Sequence, residues 1–412
     1  MGKAFQVPAI QLPADTDITG RGFGQEEIDL LKQVIESGTL NCTKGTQVKL
    51  LEKEFAAIYG VPYCRAITSG TAAIHTAVAA IDPEPGDEII SSPITGMGAI
   101  TPILYQQAIP IFCDVDPVTL NPTAESIRQR ITPRTRAVVV THLFGLPADM
   151  DSIMKVAAEH NIAVIEDCAQ SYLARYNGRL LGTIGDIGAF SLQQGKHMTT
   201  GEGGMVICSD QAKGRRMTLF SDKAWGYGDP KPDHYFLALN YRMTELQGAV
   251  ARAQLVKLAG VVERRQSTAN QMSAQLQGVP GLILPVPPEG STHVYWKYPL
   301  IVDPNVIPGG SDALGKALKE RGIMCAPRYI QKPAFECEVL SKQNTYGKSR
   351  CPYSCREKAD GTCITYDRAE YPGTMQGLER VVVLPWNEKY TVEHVNYIAS
   401  AVQSSVEMLT KQ

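Results

Sequence analysis

Apolar residues recur at helical spacing early in the chain. Residues 25–36 place Ile28, Leu31 and Ile35 on one face, and Gly38 follows as a stop. Residues 46–59 repeat the pattern with Val48, Leu51, Phe55 and Ile58. The texture then changes to compact runs rich in β-branched residues, at 88–91, 109–114, 137–141, 163–166, 189–192 and 205–208. Helical patterns separate several of them, at 124–130 and 150–160. Strands apolar on both faces that alternate with helices predict an α/β fold, with a mostly parallel sheet flanked by helices. Ligands of such sheets gather at the carboxyl ends of the strands.

Residues 244–258 read as a long helix, and beyond about 261 the texture shifts. Prolines cluster at Pro280, Pro285, Pro287 and Pro288. A strand at 294–302, a helix at 313–321, a strand at 381–384 and a helix at 392–409 follow. This predicts a large α/β domain over 22–260 and a smaller α+β domain over 261–412, with residues 1–21 packing near the smaller one. No internal repeat or low-complexity tract interrupts either half.

With 44% hydrophobic and 20% charged residues, the 412-residue chain has the composition of a globular protein. A formal net charge of -2 gives no field of one sign, which argues against nucleic acid or an anionic membrane as main partner. The start, Met-Gly-Lys-Ala-Phe-Gln-Val-Pro, lacks a basic segment followed by an apolar run, and no stretch approaches a bilayer span, so cytoplasm is the expected location. Of ten cysteines, Cys42, Cys64, Cys113, Cys168, Cys208 and Cys325 are scattered among apolar segments and read as reduced thiols.

Four local features carry candidate chemistry. Thr68-Ser69-Gly70-Thr71-Ala72-Ala73 opens a helix with small residues. It is either an ordinary capped turn or a phosphate cradle of exposed N–H groups. The apolar run 164–165 ends in Glu166 and Asp167. A carboxylate there either caps the next helix or meets a positive partner, such as the nitrogen of a pyridinium ring. Lys196 lies just past a strand in Gly195-Lys196-His197, followed by Gly201-Glu202-Gly203-Gly204. It is either a surface lysine in a glycine turn or an amine whose pKa is lowered for imine formation. Ser191 is placed to donate to a phosphate. Asn240, before the helix at 244, either caps that helix or reaches a phosphate on its own or a neighbouring subunit.

The segments VVVTHLFGLPADMD (138–151), EDCAQS (166–171), FSLQQGKHMTTGEGGMV (190–206) and NYRMTELQGAVA (240–251) resemble the DegT/StrS-type sugar aminotransferases. The resemblance runs from about Gly22 to the C-terminus. It implies a pyridoxal 5'-phosphate (PLP) enzyme of fold type I, the aspartate aminotransferase fold. It also implies a homodimer with active sites at the subunit boundary. By that resemblance, Lys196 forms an imine with the cofactor and later moves a proton. Asp167 pairs with the pyridine nitrogen, and Gln170 lies near the phenolic oxygen. Gly70, Thr71 and Ser191 hold the phosphate, which Asn240 reaches from the partner chain. Arg242 has a structural role, and His142 and Phe144 match the family's strand-end motif. The implied reaction is ping-pong transfer of an amino group from glutamate or glutamine to a keto sugar, nucleotide-linked or free, or to a keto cyclitol.

Some residues depart from the pattern. Where the family places an aromatic residue over the ring, Pro93-Ile94-Thr95-Gly96-Met97-Gly98 offers Met97, whose sulfur can pack on a ring. A dehydratase branch of the family carries histidine in place of the lysine. Lys196 favours transamination, and the adjacent His197 keeps that branch as the alternative, beside a non-catalytic regulatory protein. Gln193-Gln194 resembles the cyclitol aminotransferases and points to a polyol ketone with a glutamine donor. No G-x-G-x-x-G follows the first strand, which argues against a nicotinamide dehydrogenase. Cys337, Cys351, Cys355 and Cys363 crowd into an apparent insertion. Zinc and disulfides are options, but the spacing matches no standard zinc pattern; the segment reads as a loop with incidental thiols, and no metal is expected.

Overall fold

The structure is a computed structural model and describes residues 10–411. Its centre is a seven-stranded sheet. In spatial order the strands are Tyr63–Ile67, Gly204–Cys208, Ile187–Ser191, Ala163–Asp167, Thr135–Thr141, Glu88–Ser91 and Ile109–Phe112. The last five run parallel to one another, and Gly204–Cys208 runs antiparallel to both its neighbours. The strands are apolar on both faces because both are covered. On one face the helix Gly70–Ile81 is buried almost all round and packs with Ile89, Val139, Ile165 and Val206. On the other, the helices Gln47–Tyr59 and Met150–His160 bring Leu51, Phe55 and Ile153 against Val138, Val164 and Phe190. Each fully buried Val, Ile, Leu or Phe in these layers contributes about 1.5–3 kcal/mol.

The long helix is Glu245–Leu276, 32 residues, not the shorter span expected from the pattern. Thr244 caps it, accepting the Gln247 N–H at 3.3 Å. Its N-terminal part, through Val262, packs Leu255, Leu258 and Val262 into the core of the large sheet. Its second half packs Ala269, Met272 and Leu276 into a separate core. That second core lies on a four-stranded antiparallel sheet, ordered Leu282–Ile283, Lys297–Val302, Val381–Pro385, Ala326–Pro327, and is closed by Val392–Thr410. Ile10 and Leu12 pack against this core, and residues 1–9 lie outside the described ones.

The cysteine-bearing segment packs elsewhere. Phe335, Leu340, Tyr353 and Tyr371 join Ile100, Leu104, Ile109 and Phe112, at the outer edge of the large sheet. Tyr366 Oη donates to Pro110 O at 2.7 Å, and Arg356 Nη1 donates to Gly86 O at 3.0 Å. Cys351 and Cys355 form a disulfide, with Cα atoms 5.4 Å apart, and Cys337 and Cys363 are free. The reading of that segment as a loop of incidental thiols is corrected. The turn into the helix Tyr353–Asp360 places residues four apart side by side. Among the described residues no helix is long and apolar enough to cross a membrane.

Candidate active site

Three adjacent parallel strands end together at Thr141, Asp167 and Ser191. Thr141 and Asp167 are register partners, so both side chains emerge on one face. Thr141 Oγ1 approaches Asp167 Oδ2 at 3.5 Å, and Thr95 Oγ1 lies 3.1 Å from Thr141 Oγ1. Asp167 Oδ1 accepts the Ala169 N–H at 3.1 Å. The carboxylate is 8% exposed, and no salt bridge reaches it among the described residues. Burial raises its pKa, while the Ala169 N–H, the Lys196 ammonium, His142 and Thr141 act against that rise.

The two acidic residues of the strand end part company, as period-two alternation requires. Glu166 is fully buried on the opposite face and accepts N–H groups from Gly182 (2.8 Å), Ile184 (2.8 Å) and Gly185 (2.7 Å). His142 Nδ1 accepts the Ala148 N–H at 3.2 Å, which leaves Nε2 to donate to Glu166 at 3.1 Å. His142, Glu166 and Cys168 converge closely enough to suggest a metal. Hydrogen bonds already use both ring nitrogens and both carboxylate oxygens, so the trio is structural.

Lys196 is half-buried in the turn after Ile187–Ser191. Its Nζ lies 4.1 Å from the centre of the Trp296 ring. Burial lowers its pKa to about 8; Asp167 opposes this, Lys297 adds to it, and Asp15 opposes it. The neighbouring side chains hold the turn by hydrogen bonds. Gln193 Oε1 accepts the Gly195 N–H at 2.8 Å, and Gln194 Nε2 donates to Asp15 O at 3.0 Å. His197 is 1% exposed, its Nε2 donates to Val294 O at 2.9 Å, and burial holds its pKa well below the ordinary range. It is a neutral core histidine.

Beside Ser191 begins the helix Gly70–Ile81, with Ser69 accepting the Ala72 N–H at 3.0 Å. Gly70 is required by close approach, because a Cβ there would lie 2.6 Å from Ser191 Cβ. A Cβ on Gly98 would lie 2.6 Å from Thr71 Oγ1. The structure therefore brings Gly70, Thr71 and Ser191 to one place, and Asp167 and Lys196 within electrostatic reach of each other. Gln170 Oε1 accepts the Phe144 N–H at 2.7 Å. Met97 packs against the cluster of Ile100, Leu104 and Phe335.

The segment of Asn240 runs beside the start of the helix Gly70–Ile81, where the Thr68 N–H donates to Tyr241 O at 3.1 Å, but among the described residues the Asn240 side chain bonds only to Arg242. Asn240 is exposed, and its Oδ1 accepts the Arg242 N–H at 3.2 Å. The capping role weighed for it belongs to Thr244. Arg242 pairs with Asp222.

Sequence reasoning missed Trp296, Arg21, Asp15 and Tyr329. Tyr329 follows the strand Ala326–Pro327, and its ring is 4.8 Å from that of Phe144. Gln170 and Asp167 both act on its hydroxyl, whose pKa burial pushes up to about 12. Arg328 and Tyr329 hold φ at 59° and 47°, a left-handed backbone costly for residues with side chains.

The model of the DegT/DnrJ/EryC1/StrS aminotransferase family matches residues 22–365. The spore coat polysaccharide biosynthesis protein SpsC of Bacillus subtilis (strain 168) is 32% identical over 93% of this chain and 95% of its own length. A UDP-N-acetyl-3-dehydro-alpha-D-glucosamine 3-aminotransferase of Acidithiobacillus ferrooxidans is 35% identical over 75% of this chain and 80% of its own. The crystal structure of an aminotransferase from Psychrobacter cryohalolentis superposes with a TM-score of 0.83 at 29% identity, covering 95% of this chain and 98% of that one. The chain belongs to the DegT/DnrJ/EryC1/StrS aminotransferase family and is a transaminase.

Proposed function

We propose that this transaminase works with PLP attached through Lys196, and that glutamate or glutamine supplies the amine. The reaction is transfer of that amino group to a keto sugar. The observation that carries the cofactor assignment is the pairing of a half-buried, low-pKa amine with a buried carboxylate that lacks an ion pair. A cationic ring nitrogen is the partner such a carboxylate needs. The Gly70–Ser191 contact and the helix start beside it fit a phosphate.

PLP bound here would supply an electron sink for the carbon that gains or loses nitrogen. The chain's own residues do the rest. Gly70 and Thr71 offer N–H groups, and Thr71 and Ser191 offer hydroxyls, to hold the phosphate. Asp167 keeps the ring nitrogen protonated, and Thr141 and the Ala169 N–H hold Asp167. Gln170, fixed by Phe144, presents its amide N–H to the phenolic oxygen. Lys196 attaches the cofactor and then carries the proton between nitrogen and carbon. Met97 is proposed on the ring face.

Asn240 serves a second copy of the chain. The segment around it exposes Leu237 at 95%, with Tyr227, Tyr235 and Leu239 also bare, as a dimer surface requires. A cavity of about 660 Å³ lined by Arg65, Arg215, Trp225 and Arg242 opens beside this segment. The dehydratase alternative loses support, because His197 points into the core and is bound to Val294.

The test uses purified protein loaded with PLP. A visible absorbance is expected, which glutamate or glutamine bleaches and a keto sugar restores. Lys196→Ala should abolish the absorbance and the turnover. Turnover retained in that variant refutes the assignment of Lys196.

A further inference from the structure

The lysine turn is gripped at two successive carbonyls. Trp296 Nε1 donates to Gly195 O at 2.7 Å, and Arg21 Nη1 donates to Lys196 O at 2.8 Å. The donors come from opposite directions in the sequence, 101 residues later and 175 residues earlier. Trp296 also presents its ring face to Lys196 Nζ, so one side chain holds both the main chain and the tip of the lysine.

Both donors are themselves fixed. The backbone N–H of Trp296 donates to Phe144 O at 2.8 Å. Arg21 is 3% exposed, its Nε donates to Asp15 O at 3.0 Å, and its Nη2 is 3.4 Å from the Asp15 carboxylate. Arg265, wholly buried, ties Glu388 at 2.7 Å and reaches Asp15 at 3.5 Å. Lys297 and Asn387 reach the same carboxylate at 3.4 Å and 2.5 Å. Buried ions are costly, and apolar residues would cover this turn at least as well. A network this charged beneath one turn fits a need to fix its place.

We propose that Trp296 and Arg21 are positioning residues, a clamp that holds the lysine turn and parks the protonated amine of Lys196 on the indole face. The proposal rests on the reading of Lys196 as the cofactor lysine. The ring's quadrupole attracts the ammonium and not the neutral amine. Loss of the proton therefore frees the amine to react. Asp167 and Asp15 also favour the ammonium, and Lys297 disfavours it.

The experiment labels the cofactor-free protein with trinitrobenzenesulfonate over roughly pH 6–10 and reads Lys196 by peptide mass spectrometry. Trp296→Leu removes the ring face, and its labelling midpoint should fall by about half a pH unit. Trp296→Phe keeps a ring but loses the indole N–H, and Arg21→Lys keeps the charge but loses the fork. Each should capture added PLP roughly fivefold more slowly, with a labelling midpoint like the wild type's. A wild-type midpoint in Trp296→Leu overturns the parking of the amine. Wild-type capture rates in both other variants overturn the clamp, and they decide the matter alone if Trp296→Leu does not fold. Covalent capture of PLP by Lys196→Ala removes the underlying assignment instead, a result none of the clamp variants can mimic.

Discussion

Gly70 and Ser191 touch, so closely that a Cβ on Gly70 would lie 2.8 Å from the serine hydroxyl. The contact joins the start of one helix to the end of one strand, at the place assigned to a phosphate.

Gly70→Ala should therefore push Ser191 away and weaken PLP binding about tenfold, the cost of modest overpacking. Equilibrium dialysis of the cofactor measures it. Adding Ser191→Gly should relieve the clash without restoring full affinity, because the hydroxyl is lost. Unchanged affinity in Gly70→Ala would remove the cradle from the site.

The lowered pKa of Lys196 predicts how the cofactor-free protein depends on pH. The folded value is about 8, against an ordinary 10.5 in the unfolded chain. Below pH 8 both states bind the proton, and burying the charge destabilises the fold in full. From pH 8 to 10.5 only the unfolded chain keeps the proton, so stability rises with pH through that window. Lys196→Met should melt higher than the wild type near pH 7, by a margin that shrinks above pH 8. A margin constant with pH would contradict the lowered value.

Glu166→Gln should separate the two strand-end acids. One carboxylate oxygen would become an NH₂ facing N–H groups that now donate to it, at a cost of about 2–4 kcal/mol in urea unfolding. The visible absorbance at saturating PLP should survive. An absorbance lost at full folding would make Glu166 part of the site.

Tyr366→Phe should loosen the segment that carries Cys337 to Cys363. It removes the hydroxyl that donates to Pro110, a loss of about 1 kcal/mol. Limited proteolysis should then cut the segment sooner. An unchanged rate would assign the docking to the apolar contacts of Phe335 and Tyr353 and to the bond from Arg356 to Gly86.

Much of this was legible in the chain because the informative residues are local. Asp167 and Ser191 end apolar runs that can only be inner strands, and Lys196 follows in a glycine turn. The edge strand Tyr63–Ile67 carries no such signal, because its first three residues are half-exposed and Arg65 breaks the apolar run. Trp296 and Arg21 were invisible for another reason. Their partner carbonyls belong to Gly195 and Lys196, and no periodicity encodes a contact made across a hundred residues or more. Asn240 suits a cap by residue type, but the helix starts after Thr244, where Gln247 three residues on completes a capping box.

The helix Glu245–Leu276 is about 48 Å of continuous hydrogen-bonded rod at 1.5 Å per residue. A rod common to both cores leaves no slack joint at residue 260 about which one half could swing. A hinge between the two cores at that point would have to break this helix. Melting either core also strips packing from the shaft that braces the other, so the two should lose their structure in one transition.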